Sequence, residues 1–312
     1  MSALRPNLFL VGSMKAGTSY LSGLLAAHPS VFMSFPKEPC HFVDPRVLRR
    51  VWPSAWAQGY WRSTERYLAL FAAAGNASVV GEASTVYSQL PLFSQVPARI
   101  LAFNPAARFI YIMRDPVERT VSHYWHRVHW WGEHRTLLSA IRSDARYTDV
   151  SHYARQLSAY LDCAGRERVY ALTLETLLAD PVVELQRLYA WLGVDASCRP
   201  PTLGVPDNVL PDVIEQVRGL GLLDRLRRTP TYHRAWPWLP KWLCRLGAHL
   251  AARPVRPGDV NTAQVAEFLR PLQQRQTEEL SRLLGRSFPE WRTLYAQPRQ
   301  LPAPTRRLVA GS

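Results

Sequence analysis

The sequence predicts an α/β protein of three layers, a central, mostly parallel sheet flanked by helices. Three observations lead there. Short apolar runs rich in β-branched and aromatic residues stop abruptly at polar ones. Helical patterns separate these runs, and a glycine-bearing loop joins the first run to the first helix. Strands alternating with helices build βαβ units, and a strand buried on both faces reads as a continuous apolar run.

The strands are expected at residues 8–11, 78–80, 109–113 and 169–174. Helical periodicity covers residues 18–27, 62–74, 90–103, 117–130, 153–164 and 181–192. Ligands of such sheets gather outside the carboxyl ends of the strands, so the segments that follow 8–11, 78–80 and 109–113 are where chemistry is expected. Beyond residue 200 the pattern changes. Arg199-Pro200-Pro201 and residues 206–211 read as a linker, and 210–226 as a helix. A basic-aromatic stretch, Trp236-Pro-Trp238-Leu-Pro-Lys241-Trp242, follows, and 260–284 is an amphipathic helix ended by Gly285 and Pro289. The expectation is one domain over 1–312, with 200–258 an insertion or acceptor lid and 297–312 a loosely ordered tail.

The chain has 312 residues, 38 of them basic and 24 acidic, for a net charge of +14; 47% are apolar and 20% charged. That composition excludes disorder, collagen-like repeats and a coiled coil. Four cysteines, Cys40, Cys163, Cys198 and Cys244, lie far apart without a CxxC pair. They argue against a zinc module or a disulfide framework and fit a reducing compartment. No run approaches the ~18 apolar residues of a membrane span. The apolar stretch 7–12 is too short for a signal segment, so a soluble, cytoplasmic and bacterial protein is expected. Only Lys15, Lys37 and Lys241 are lysines. Against that arginine-rich background a lysine marks a place where a compact ammonium is wanted.

Two of the three lysines fall beside the strongest motif. Gly12-Ser13-Met14-Lys15-Ala16-Gly17-Thr18-Ser19 lies between the first strand and the first helix. A loop there presents backbone N–H groups and a helix N-terminus; Lys15 adds a charge, and Thr18 and Ser19 add hydroxyls. This is a phosphate cradle of P-loop type. The nucleoside-triphosphate pattern GxxxxGK[ST] is not met, because the lysine precedes the second glycine. A second anion site follows the strand at 109–113: Arg114 stands at its end, and Ser122 lies eight residues on, two turns into the next helix. Arginine with a hydroxyl suits a phosphate monoester. Two phosphate sites on one sheet describe a nucleotide phosphorylated at both ends.

Here the chain resembles the sulfotransferases that use 3′-phosphoadenosine 5′-phosphosulfate (PAPS). Residues 12–19 resemble their 5′-phosphosulfate loop, and Arg114 with Ser122 resembles their 3′-phosphate motif. Pro36-Lys37-Glu38-Pro39-Cys40-His41-Phe42 is similar to the acceptor-side segment of the carbohydrate, heparan-type branch, and 175–193 and 283–291 are similar to later segments of the family. The resemblance covers about residues 7–195 and 260–292; 200–258 is a family-variable stretch. It implies PAPS as donor co-substrate, bound by Ser13, Lys15, Ala16, Gly17, Thr18, Ser19, Arg114, Ser122, Tyr153 and Arg286, with Ser151 approaching the nucleotide and no metal required. It implies Lys15, Lys37, Glu38 and His41 as the catalytic set. Glu38 stands at the base position. His41 replaces the first of a paired aromatic there, which leaves open whether Glu38 or His41 is the base. The implied acceptor is a hydroxyl or amine of a carbohydrate or glycolipid.

Other features have two readings each. Glu82 orients Lys15 or touches the acceptor, or else Gly81-Glu82-Ala83-Ser84 is a helix cap built on Ser84, with Tyr87 lining the pocket. His123, His126, His129 and His134 lack a carboxylate or cysteine to complete a metal set; the interleaved Tyr124, Trp125, Trp130 and Trp131 form an acceptor wall or pack the core. Residues 236–253 are an acceptor lid, a helix lying on anionic membrane, or a helix covering the sheet. Two other functions stay in view. An ATP-dependent P-loop kinase is opposed by the lysine placement. A basic nucleic-acid-binding protein is opposed by arginines spread along the whole chain.

Overall fold

The computed structural model describes residues 4–204, 211–217 and 252–295. The central sheet has five strands: β1 (Leu8–Gly12), β2 (Val31–Met33), β3 (Val79–Ala83), β4 (Arg108–Met113) and β5 (Val169–Thr173). All pair in parallel, in the order β2-β3-β1-β4-β5. Alternate residues of β1 face opposite ways. Leu8 and Leu10 join the cluster of Leu21, Leu24, Leu185 and Leu188, contributed by α1 (Thr18–Ala26) and a later helix, Pro181–Leu192. Phe9 and Val11 face the other cluster, with Phe42, Tyr67, Tyr124, Tyr160 and Leu269. The three layers predicted are therefore present.

Between β2 and β3 run α2 (Pro45–Val51), α3 (Pro53–Gln58) and α4 (Thr64–Leu68). After β3 come α5 (Val96–Phe103), then α6 (Pro116–Trp131) beyond β4, α7 (Leu137–Ser143), α8 (Arg146–Asp149) and α9 (Tyr153–Ala164). After β5, α10 (Leu174–Ala179) and α11 (Pro181–Leu192) close the core region. The long helix α12 (Ala263–Leu284) is capped by Gly285 at φ 70°. Caps explain several boundaries: Asp115 accepts from the N–H groups of Val117 and Glu118 ahead of Pro116, and Asp180 from Val183 ahead of Pro181.

Several expectations are corrected. The helix read at 90–103 begins only at Val96, because Pro91 and Pro97 admit a helix only where Pro97 sits in the first turn. The 62–74 helix is α4 followed by a 3-10 stretch, Ala69–Ala74. In place of the described part of the 210–226 helix there is a strand, β6 (Ile214–Val217), paired antiparallel with β7 (Ala252–Val255). Ile214 and Gln216 are buried while Glu215 is exposed, a period of two. Residues 236–242, Cys244 and the 297–312 tail lie outside the described residues. Among the described residues no helix is long and apolar enough to cross a membrane.

Candidate active site

The chain crosses over β1 between β3 and β4, so the loops after β1, β2, β3 and β4 open onto one crevice. The loop from β1 enters α1 through Gly17, whose φ of 89° is left-handed. A side chain there would also lie 2.6 Å from Leu174 Cδ1. The conformation calls for glycine, and an added side chain would also have to displace the end of the Leu174 side chain. The first intrahelical bond runs from Leu21 N–H to Gly17 O at 3.0 Å, so the ladder of α1 starts one turn into the helix. Ser13 and Ala16 are fully buried and spend their N–H groups within the protein, on Ile112 O and Ser13 O. Among the described residues the Ser13 hydroxyl, buried, has no hydrogen-bond partner.

Cations converge on this loop. Lys15 has its pKa lowered, first by burial and then by the charges of Arg114 and Lys37. Lys37 Nζ donates to Ser19 Oγ at 2.9 Å, tying the segment after β2 to the first turn of α1. Arg114 directly follows β4 and pairs with Glu118 at 2.8 Å. On α6, Glu118, Ser122 and His126 are spaced by four and share a face. Its lower end meets Arg114; at its upper end the Lys15 charge, after burial, helps hold His126 down to a pKa of about 4. Ser122 therefore lies between Glu118 and His126 on that face.

Glu38 is clamped. Its Oε2 accepts from Thr85 N–H at 2.8 Å and its Oε1 from Thr85 Oγ1 at 2.9 Å. Burial pushes its carboxyl pKa up, and the Lys37 charge opposes this. Such a carboxylate is oriented and more basic than usual. His41 goes elsewhere: its ring stacks on Tyr67 at 4.2 Å and its Nδ1 lies 2.7 Å from Tyr60 O. The ring is engaged in aromatic packing, and burial lowers its pKa.

Glu82 does not reach Lys15 through any hydrogen bond or ion pair of the structure. It is fully buried, accepting from Tyr67 Oη (2.6 Å), Tyr87 Oη (3.0 Å) and Ser84 Oγ (2.8 Å), and burial raises it to about 7. Tyr87 Oη in turn accepts from His41 N–H and Ser84 Oγ from Cys40 N–H, so this network underlies the Glu38 segment. Ser84 makes no side-chain helix cap, contrary to that reading. Tyr153 is buried, and its hydroxyl donates to Arg114 O at 2.6 Å. Ser151 is taken up by Arg119, Thr120 and Pro116 O. The Arg286 guanidinium sits over Phe288 and 3.8 Å from Glu290, which accepts from Thr173 at the end of β5, the strand beside β4.

Sequence reading passed over two residues. Arg119 is fully buried, reaching Met14 O in the loop as well as Ser151 and Tyr147 O. Its place five residues after Arg114, inside a cap-defined helix, was a usable signal. Thr85, partner of Glu38, carried none, because the two are 47 residues apart.

The family model "Sulfotransferase family" matches residues 6–197. The chain belongs to the sulfotransferase family. It is 30% identical over 125 residues to the membrane-associated sulfotransferase kil1 of Dictyostelium discoideum, a match covering 40% of this chain and 24% of that protein. It is 29% identical over 124 residues to the human bifunctional heparan sulfate N-deacetylase/N-sulfotransferase 2, covering 39% of this chain and 13% of the relative. With human heparan sulfate glucosamine 3-O-sulfotransferase 6 the identity is 27% over 206 residues, covering 61% and 52%. The chain thus spans about half or less of the length of these relatives. A sulfotransferase from Alicyclobacillus acidocaldarius shares the fold, with a TM-score of 0.67 and 24% identity over 93% of this chain and 99% of that one.

Proposed function

We propose that this protein transfers a sulfonate group from PAPS to a hydroxyl or amine of a carbohydrate or glycolipid. The observation that carries the reading is the convergence of Lys15, Lys37 and Arg114 on the loop between β1 and α1, where Lys37 Nζ donates to Ser19 Oγ at 2.9 Å and the charges of Arg114 and Lys37 help lower Lys15. Two further cations close enough to lower Lys15 favour a ligand with several anionic groups. In this reading the loop amides, Thr18 and Ser19 hold the 5′-phosphate, and Arg114 with Ser122 holds the 3′-phosphate.

Glu38 accepts the acceptor proton as the acceptor oxygen or nitrogen bonds to sulfur. The bond from sulfur to the bridging oxygen breaks, and that oxygen leaves with the electron pair on the 5′-phosphate. Lys15 stabilises the charge gathering there, so the protein works by positioning and electrostatics. A carbohydrate acceptor is supported by the segment 36–42 and by the heparan sulfate enzymes among the relatives. Incubation with labelled PAPS and a panel of acceptors tests the proposal. Transfer that is lost in Lys15→Ala is expected. Thermal stabilisation by ATP–magnesium, with none by adenosine 3′,5′-bisphosphate, would refute it.

A further inference from the structure

We infer that α2–α4 form an extended binding surface for an anionic glycan, a sugar chain bearing carboxylate or sulfate groups, leading away from the crevice. The inference rests on the proposed carbohydrate acceptor and specifies its charge and its path. The path starts at His126, on the face of α6 that carries Ser122 and the Arg114 partner Glu118. The His126 ring is 6.4 Å from Trp131, which is 6.3 Å from Trp52. Trp52 is the junction of α2 and α3. One turn on, Trp56 stacks with Trp61 at 5.4 Å.

Arginines lie on these rings. The Arg49 guanidinium sits 5.0 Å from the Trp56 ring, and that of Arg62 is 5.8 Å from Trp56 and 5.5 Å from Trp61. A guanidinium lying on an aromatic ring is held in orientation while its in-plane N–H groups remain directed at solvent, ready for two parallel bonds to a carboxylate or sulfate. Residues 45–66 contain five arginines and one glutamate. Among the described residues neither Arg49 nor Arg62 has a carboxylate partner, and both are exposed. Cations arrayed on fixed aromatic supports, without internal counter-charges, complement a chain of regularly spaced anions. The indole surfaces left between them complement the apolar faces of sugar rings. Continuity with the crevice favours a polymer whose reacting unit sits at Glu38 while its neighbours lie along this track.

The test measures binding to an oligogalacturonate of about eight sugars, a neutral oligoglucan of equal length, and phosphatidylglycerol vesicles. The expected result is salt-sensitive binding of the oligogalacturonate, with the neutral chain and the vesicles much weaker. Arg49→Ser with Arg62→Ser should weaken that binding about tenfold, and Arg49→Lys with Arg62→Lys, which keeps the charge but not the planar fork, should fall between. Both variants should keep the wild-type melting temperature and the wild-type stabilisation by adenosine 3′,5′-bisphosphate. Equal glycan binding by wild type and the serine variant, or preference for the neutral chain or the vesicles, overturns the inference. Donor binding without glycan binding sinks this inference alone, whereas glycan binding without donor binding sinks the proposed function and leaves the surface standing.

Discussion

Replacing Gly17 by alanine perturbs the loop in two separable ways. At φ 89° an alanine is strained by about 1–2 kcal/mol. Its Cβ would also stand 2.6 Å from Leu174 Cδ1, so the leucine must leave its rotamer at about 0.5–1.5 kcal/mol. Together these reach roughly 1.5–3.5 kcal/mol, or about 10- to 300-fold if the loop relaxes and the loss appears in donor affinity. Leu174→Ala relieves the contact and leaves the backbone strain. In a double-mutant cycle on adenosine 3′,5′-bisphosphate binding and thermal unfolding, Gly17→Ala should therefore cost less in the Leu174→Ala background, by about the rotamer part. Calorimetric titration and thermal melts read both quantities. If Gly17→Ala left both affinity and stability unchanged, or if the cycle showed no coupling, the argument that this turn demands glycine would be refuted.

Three further predictions concern charge. Because Lys37 opposes the burial that raises Glu38, Lys37→Ala should move the acid limb of the kcat/KM profile to higher pH; an unmoved limb would separate Glu38 from the proton transfer. Glu82 is raised to about 7 in the folded protein from an ordinary value of 4.5, so the folded state holds its proton more tightly than the unfolded chain. Stability from this group is complete below about 4.5 and is lost as pH rises towards 7, on the order of 3 kcal/mol in all. Glu82→Gln, which stays neutral, should lose less stability than wild type between pH 5 and 8 in denaturant titrations, and parallel curves would count against it. His126, held to about 4 by burial and by Lys15, should titrate at higher pH in Lys15→Ala when followed by NMR, and an unchanged value would place the two apart.

Much of the fold was legible because buried parallel strands write themselves as apolar runs: β1, β4 and β5 stand close to where the runs place them. Helices α9 and α11 match at both ends, since Gly165 and Gly193 close them and Pro181 opens α11. β2 was hidden because three residues make no pattern, and β6 because a four-residue alternation sits inside a helix-like composition. Lys15 and Arg114 do stand where the sequence puts them, just beyond the carboxyl ends of β1 and β4. The clamp of Thr85 on Glu38 was not legible, because the left-handed backbone at Glu38 and the turn after β3 bring them together only in three dimensions. His41 was misplaced by analogy of residue type. A ring flanked by Phe42, Tyr67 and Phe103 packs among aromatics, and burial disfavours its charge.

The most direct measurement compares the affinities of adenosine 3′,5′-bisphosphate and adenosine 5′-monophosphate for wild type, Lys15→Ala and Arg114→Ala. The account predicts that wild type prefers the bisphosphate, that Arg114→Ala erases this preference, and that Lys15→Ala weakens both ligands while keeping it. If Arg114→Ala weakened the two nucleotides equally, or if the 3′-phosphate conferred no advantage on wild type, the lysine and the arginine would not be holding opposite ends of one nucleotide.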